Sequence, residues 1–285
     1  MFKNQSTYSG VSLIELMMAL VISSLLLSCL ITVFIAIKNI NQVQIALNAM
    51  QDNSRAAAIL FNSEIKMAGY IGCAKLTKDF PLINNFLEFT DENKINFYVD
   101  PEMKKNSDGI LIAHASESHA ILAKGMHGYS VLDAENNLKF SANDIVLISD
   151  CKNAEVARIK NISFTTEGLQ QISLFRPLAM AYAKYSEITP LEVNRYYLSP
   201  SSSGLPMYSL YKKDIESQTQ EMIEGIDEMK VFFEIIKDNQ LIEIPANQRQ
   251  KEMKIVAVSI KLTLSSIDKW IPKKDFYIYT VVRQA

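Results

Sequence analysis

A polar opening stretch, residues 1–10 with Lys3 as its only charged side chain, gives way to an uninterrupted apolar run. From Val11 to Ile37, 27 residues, Glu15 is the sole formal charge. As a helix rising about 1.5 Å per residue the run is roughly 40 Å long, enough to cross a hydrocarbon core of about 30 Å with some tilt. A secretory signal sequence is the first competitor, but its apolar core takes only about 7 to 15 residues before a small-residue cleavage site. Here the run continues past Ser28 and Cys29. It is read as a retained membrane segment.

The helical period persists beyond it: Ile40, Val43, Leu47, Met50, Ala57, Phe61 and Ala68 recur at spacings of three, four or seven, with Asn48, Asp52, Arg55 and Lys66 between them. No Gly or Pro interrupts 11–68, so a single helix with Gly69 as its stop is predicted. The charge ladders of a coiled-coil seam are absent, and the apolar stripe is expected to pack on the protein's own head. After Gly69 the period becomes two. The clearest strand is 255–265, where Val256, Val258, Ile260, Leu262 and Leu264 alternate with smaller or polar residues. Rougher candidates are 94–99, 109–113, 144–149, 170–175, 193–198, 229–236 and 276–282, with turn signals at 79–81, 106–109 and 199–206. The expected class is α+β: a helix with a membrane half (11–37) and an amphipathic half (38–70), packed on a β-rich head (71–285).

Composition narrows the chemistry. With 48% hydrophobic residues the chain has material for a sizeable core. Its 29 basic against 31 acidic residues give a net charge of -2, which removes the electrostatic reason to expect nucleic acid as a partner. The nine glycines form no phosphate-cradling pattern. His114, His119 and His127 cluster in sequence, but spacings of five and eight do not place imidazoles on one helical face, so they are read as ordinary histidines of a surface loop and no metal is expected. Asp91–Glu92 and Asp238–Asn239 read as solvated turns without a calcium-loop pattern. Glu224, Asp227 and Glu228 read as a charged turn before a strand rather than an acid/base pair. Tyr196, Tyr197, Tyr208 and Tyr211 are assigned to packing. No catalytic residue or cofactor emerges, and the chain is not expected to be an enzyme.

Glu15 needs a partner, because a carboxylate at the centre of a membrane helix costs about 2.5 to 3.5 kcal/mol. One reading places it at the helix start, in reach of interfacial water. The residues just before it offer another: Gly10, Val11, Ser12, Leu13, Ile14 and Glu15 form GVSLIE, which resembles the prepilin signature of type IV pilins and type II secretion pseudopilins. The resemblance implies cleavage after Gly10 by a prepilin peptidase, removing leader 1–10 and leaving a methylated amino terminus at Val11, where the signature usually has phenylalanine. Two mature helices side by side would then pair the amine of one with Glu15 of the other.

Four further blocks stand in order: MAGYIGC at 67–73, SDGILI at 107–112, NDIVLISDC at 143–151 and MIEGIDEMKVFFEI at 222–235. Together with the amino terminus they resemble the PilW-type minor pilins. That resemblance implies a pilin-like fold and a low-abundance pilin that primes type IV pilus assembly and sits at or near the tip. Implied partners are other minor pilins, the major pilin, the prepilin peptidase, the inner-membrane assembly platform and a PilY-type tip adhesin. The implied location is a single pass through the inner membrane with the head in the periplasm, and the pilus at the cell surface after assembly. A J-like minor pseudopilin of type II secretion shares the signature, and a membrane-tethered periplasmic enzyme is the rival from another class. With the head outside the cytoplasm, Cys73 and Cys151 are expected to form a disulfide, the alternative being two buried free thiols; Cys29 lies in the apolar run and receives no role.

Overall fold

The computed structural model describes residues 13–77, 80–84, 86–87, 89–91, 93–237, 240–250, 253–266 and 270–282. Leader 1–10, its cleavage site and the turn residues Glu92, Asp238 and Asn239 lie outside them.

The absence of Gly and Pro has the expected result: α1 runs from Leu13 to Met67, 55 residues. It ends at Gly69, whose φ of +77° belongs to the left-handed region where helices are capped. The Gly69 N–H donates to the carbonyl of Ala113 at 2.9 Å, tying the cap to the sheet. A Cβ there would meet the Lys94 side chain at 2.5 Å and would sit on a backbone that L side chains rarely adopt, so any other residue must displace Lys94 and strain the cap.

The chain divides into two compact units between Ala49 and Met50. In the first, every large apolar side chain from Leu13 to Ile45 that faces outward remains exposed, Leu13 at 77% and Phe34 at 68% among them. In the second, Met50, Ala57, Phe61 and Ile65 of α1 are buried, at spacings of seven, four and four. The amphipathic stripe is therefore shorter than its sequence pattern: Ile40 and Val43 stay exposed and Leu47 is half-buried, so burial starts at Met50. Within this unit Phe61 meets Tyr196 edge to face, with ring centroids 5.4 Å apart, and Asn53 donates to the carbonyl of Glu224 at 2.7 Å.

The strands follow in three groups. A short hairpin, β1 (Tyr70–Ile71) and β2 (Ala74–Lys75), comes first. Next are β3 (Leu82–Ile83), β4 (Ile95–Tyr98), β5 (Gly109–Ala115), β6 (Ala120–Ile121), β7 (Val131–Ala134), β8 (Ile145–Ser149) and β9 (Ala154–Phe164). They are joined by β10 (Gln170–Leu174), β11 (Glu187–Pro200), β12 (Tyr208–Lys213) and β13 (Thr219–Glu224) to make an 11-stranded sheet among the described residues. Its main path is β13-β12-β11-β8-β9-β10-β7, with β5 and β6 also on β11, β4 on β5, and β3 parallel to β9. The third group, β14 (Ile226–Lys237), β15 (Gln240–Pro245), β16 (Ile255–Leu264) and β17 (Lys274–Val281), forms an antiparallel sheet in the order β15-β14-β16-β17.

Each strand candidate from the sequence has a counterpart, and the head is strand-rich as expected. In β16 the alternation breaks once. Val258, Ile260, Leu262 and Leu264 are buried, but so are Ile255 and Ala257, while Val256 is only half-buried. A bulge causes the change of phase: pairing passes from Glu234↔Ala257 to Ile235↔Ile255, leaving Val256 as the extra residue. Cores form on both sides of the large sheet's strands. Leu122, Leu132, Ile148, Ile159 and Ile172 centre one cluster, and Ile71, Ala113, Leu147, Val156, Leu191 and Val193 another.

Candidate functional sites

Glu15 stands in the first turn of α1, where a carboxylate is favoured by the positive end of the helix dipole. Gly10 and Val11 lie outside the described residues. Three hydroxyls of the apolar segment are satisfied by its own backbone: Ser24 Oγ donates to the Val21 carbonyl at 2.8 Å, Thr32 Oγ1 to that of Ser28 at 2.9 Å, and Ser23 Oγ to that of Ala19. Such back-bonding costs little in lipid, where an unbonded hydroxyl would be expensive. This helix is long and apolar enough to cross a membrane, and among the described residues none of its most apolar stretch is buried.

Cys73 and Cys151 are joined by a disulfide across a separation of 78 residues. It clasps the β1–β2 hairpin, which directly follows the end of α1, to the turn after β8. Cys73 N–H donates to Glu187 Oε2 at 3.1 Å, and Cys151 occupies the left-handed region with φ +69°. Cys29 is a free, exposed thiol on α1.

The histidines do not share one loop. His119 and His127 are exposed, as expected, but His114 is in β5 and 5% exposed. The two-residue alternation of β5 and β11 explains its place. His114 is paired with Glu192 across the ladder and Ile112 with Asn194, so the side chains of His114, Glu192 and Asn194 emerge on one face of the sheet. Glu64 reaches that face from α1, three residues after Phe61. Asn194 Nδ2 donates to Glu64 Oε2 at 3.0 Å and to Glu192 Oε2 at 3.3 Å. His114 Nδ1 is 2.9 Å from the Ala115 carbonyl, whereas Nε2 faces Glu64 Oε2 at 3.5 Å and has no hydrogen-bond partner. That separation is an electrostatic contact rather than a good hydrogen bond. Lys212 Nζ approaches Glu192 Oε2 at 4.0 Å.

Burial acts to raise the Glu64 carboxyl, but His114 and Asn194 outweigh it and hold it below the ordinary carboxylate range. Burial likewise acts to lower the His114 imidazole, and Glu64 and the Ala115 carbonyl more than reverse this. Glu64 lies beside the apolar stripe, between Phe61 and Ile65, and no sequence signal joins it to the other members, which come from distant strands.

The three carboxylates of 224–228 are not a turn. Glu224 closes β13, Gly225 with φ +83° makes the link, and Asp227 and Glu228 lie in β14. This single left-handed glycine lets one strand follow the other at once, β13 in the large sheet and β14 in the four-stranded one. Each carboxylate has its own partners: Glu224 accepts from Ser201 Oγ at 2.7 Å, Asp227 from Lys104 at 2.8 Å and Lys273 at 2.6 Å, and Glu228 is 3.8 Å from Lys230. Tyr196 and Tyr197 are fully buried packing residues, while Tyr208 and Tyr211 are half-buried; Tyr208 carries the Lys104 ammonium over its ring at 4.0 Å. Comparison of the chain with protein-family models, curated proteins and solved structures returns no match.

Proposed function

We propose that the chain is a minor pilin of the PilW type, made as a prepilin, cleaved after Gly10 and assembled into a type IV pilus through its amino-terminal helix. The observation that carries this reading is a coincidence of position. GVSLIE runs into an apolar helix whose large apolar side chains from Leu13 to Ile45 are exposed among the described residues, with Glu15 in its first turn. A lipid-spanning segment and a docking helix both require such a surface, and a pilin uses one helix for both in succession.

On this reading the helix holds the protein in the inner membrane with the head in the periplasm. Cleavage exposes an amine at Val11, which pairs with Glu15 of a neighbouring helix and sets the axial stagger. The head then selects other minor pilins, which together prime the filament and remain at or near its tip. A strand-rich head closed by a disulfide suits an exported location, where such bonds persist.

Mass spectrometry of the full chain, isolated from cells containing a prepilin peptidase, tests the reading. The expected mature protein begins at a methylated Val11. A chain that keeps Met1 overturns it and favours a tethered protein of another class.

A further inference from the structure

The cluster of Glu64, His114 and Glu192 has the composition and the preparation of a divalent-metal site, and we infer that it binds one transition-metal cation of the zinc type, clamping α1 to the sheet. The inference stands apart from the pilin reading, since it rests only on the geometry of the compact unit that begins at Met50.

Three features carry it. One ligand atom from each residue lies within 4.8 Å of the others, near enough for modest side-chain shifts to bring all three around one ion. His114 is almost wholly buried, yet its Nε2 has no hydrogen-bond partner and is aimed at Glu64 Oε2 at 3.5 Å. Its other ring nitrogen, Nδ1, meets the Ala115 carbonyl at 2.9 Å. An N–H donated there fixes the tautomer and turns the Nε2 lone pair toward the carboxylates, which is how ligating histidines are oriented. A lone pair set against a carboxylate oxygen in a buried place is repulsive unless a proton or a metal cation lies between them, and at 3.5 Å the pair is too far apart for a good hydrogen bond and leaves room for an ion.

Asn194 supplies the fourth position. Its amide bridges the two carboxylates, with Nδ2 at 3.0 and 3.3 Å. Rotated by half a turn, the same group presents Oδ1 to an ion held by Glu64 and Glu192. Access runs through Glu192, whose side chain is 37% exposed against 13% for Glu64 and 7% for His114. Glu192, Asn194 and Lys212 also line an open cleft of about 660 Å³. Lys212, 4.0 Å from Glu192, competes with the ion for that carboxylate and has the solvent exposure to swing away. An imidazole ligand argues against magnesium and calcium, which take oxygen donors, and for zinc or its neighbours.

The test uses the full chain in detergent, stripped with a chelator and titrated with Zn²⁺ alone by calorimetry and with Co²⁺ by visible absorption. One ion per chain is expected, with a cobalt d–d band. Glu192→Gln, at the half-exposed ligand, weakens zinc binding by at least about tenfold while circular dichroism shows the fold intact. A His119→Ala, His127→Ala double variant, lacking the exposed imidazoles, binds as the wild type. No saturable binding by the wild type, equal binding by folded Glu192→Gln, or loss of binding in the double variant overturns the inference.

Discussion

Asp227 owes its role to a defect in a ladder. Pairing of β14 with β16 slips between Ile226 and Glu228, and the extra residue is Asp227, turned out to meet Lys104 and Lys273. Burial acts to raise its carboxyl, but the two ammonium groups prevail and hold it below the ordinary range. A carboxylate depressed in the folded state adds stability that is complete above its unfolded value, near 3.9, and is lost as pH falls through the lower folded value. Asp227→Asn should therefore lower the urea midpoint at pH 7 and converge on the wild type below about pH 4; a constant gap across that range would contradict the assignment. Phe61, with no exposed surface and an edge-on contact to Tyr196, makes a different demand. Phe61→Ala removes a buried ring and should cost about 3 to 5 kcal/mol in denaturant unfolding of the head. Phe61 was legible as an apolar position at helical spacing. The partners of Glu64 were not, because nothing local in the sequence says that a carboxylate of α1 will land over a cross-strand pair of β5 and β11.

Elements were legible in proportion to how differently their two faces are treated. Strand β16 shows alternation because one face is buried and the other is half-covered by small or polar residues. In β9 the first four residues are all buried and most of the last seven exposed, so no period of two appears, and the strand escapes a reading by alternation. Strands β12 and β13 carry Lys, Gln, Glu and Thr near the sheet edge, where a strand has little apolar surface to reveal it. The disulfide operates at this scale too, linking the hairpin after α1 to the end of β8. Closing a loop of 78 residues restricts the unfolded chain by roughly 4 kcal/mol in the chain-entropy treatment. A Cys73→Ser, Cys151→Ser double variant should lose about that much stability. Because Gly69 N–H is bonded to Ala113, the end of α1 should also exchange its amide protons faster when the clasp is removed, measurable by hydrogen–deuterium exchange.

At the scale of the whole molecule, the question is what tolerates Glu15 in an apolar helix. Membrane insertion alone would be improved by removing it, since a carboxylate deep in a helix costs about 2.5 to 3.5 kcal/mol. If Glu15 instead meets the amine of a neighbouring mature chain, its removal strands that amine, and the penalty appears in assembly and not in anchoring. The two accounts give opposite signs for one substitution. For Glu15→Val, a mere anchor predicts equal or better retention in membranes and no other consequence. Docking through the helix predicts the same retention but a loss of about 2.5 to 3.5 kcal/mol on incorporation, on the order of a hundredfold. Immunodetection of the chain in sheared filaments and in membranes of the same cells separates them. Membrane retention with the chain depleted from filaments supports assembly through Glu15, and equal amounts in filaments refute it. The head should be indifferent to the substitution, because its compact unit begins at Met50 and its buried residues all lie beyond Ala49, so an unchanged urea midpoint shows that the effect belongs to the helix surface alone.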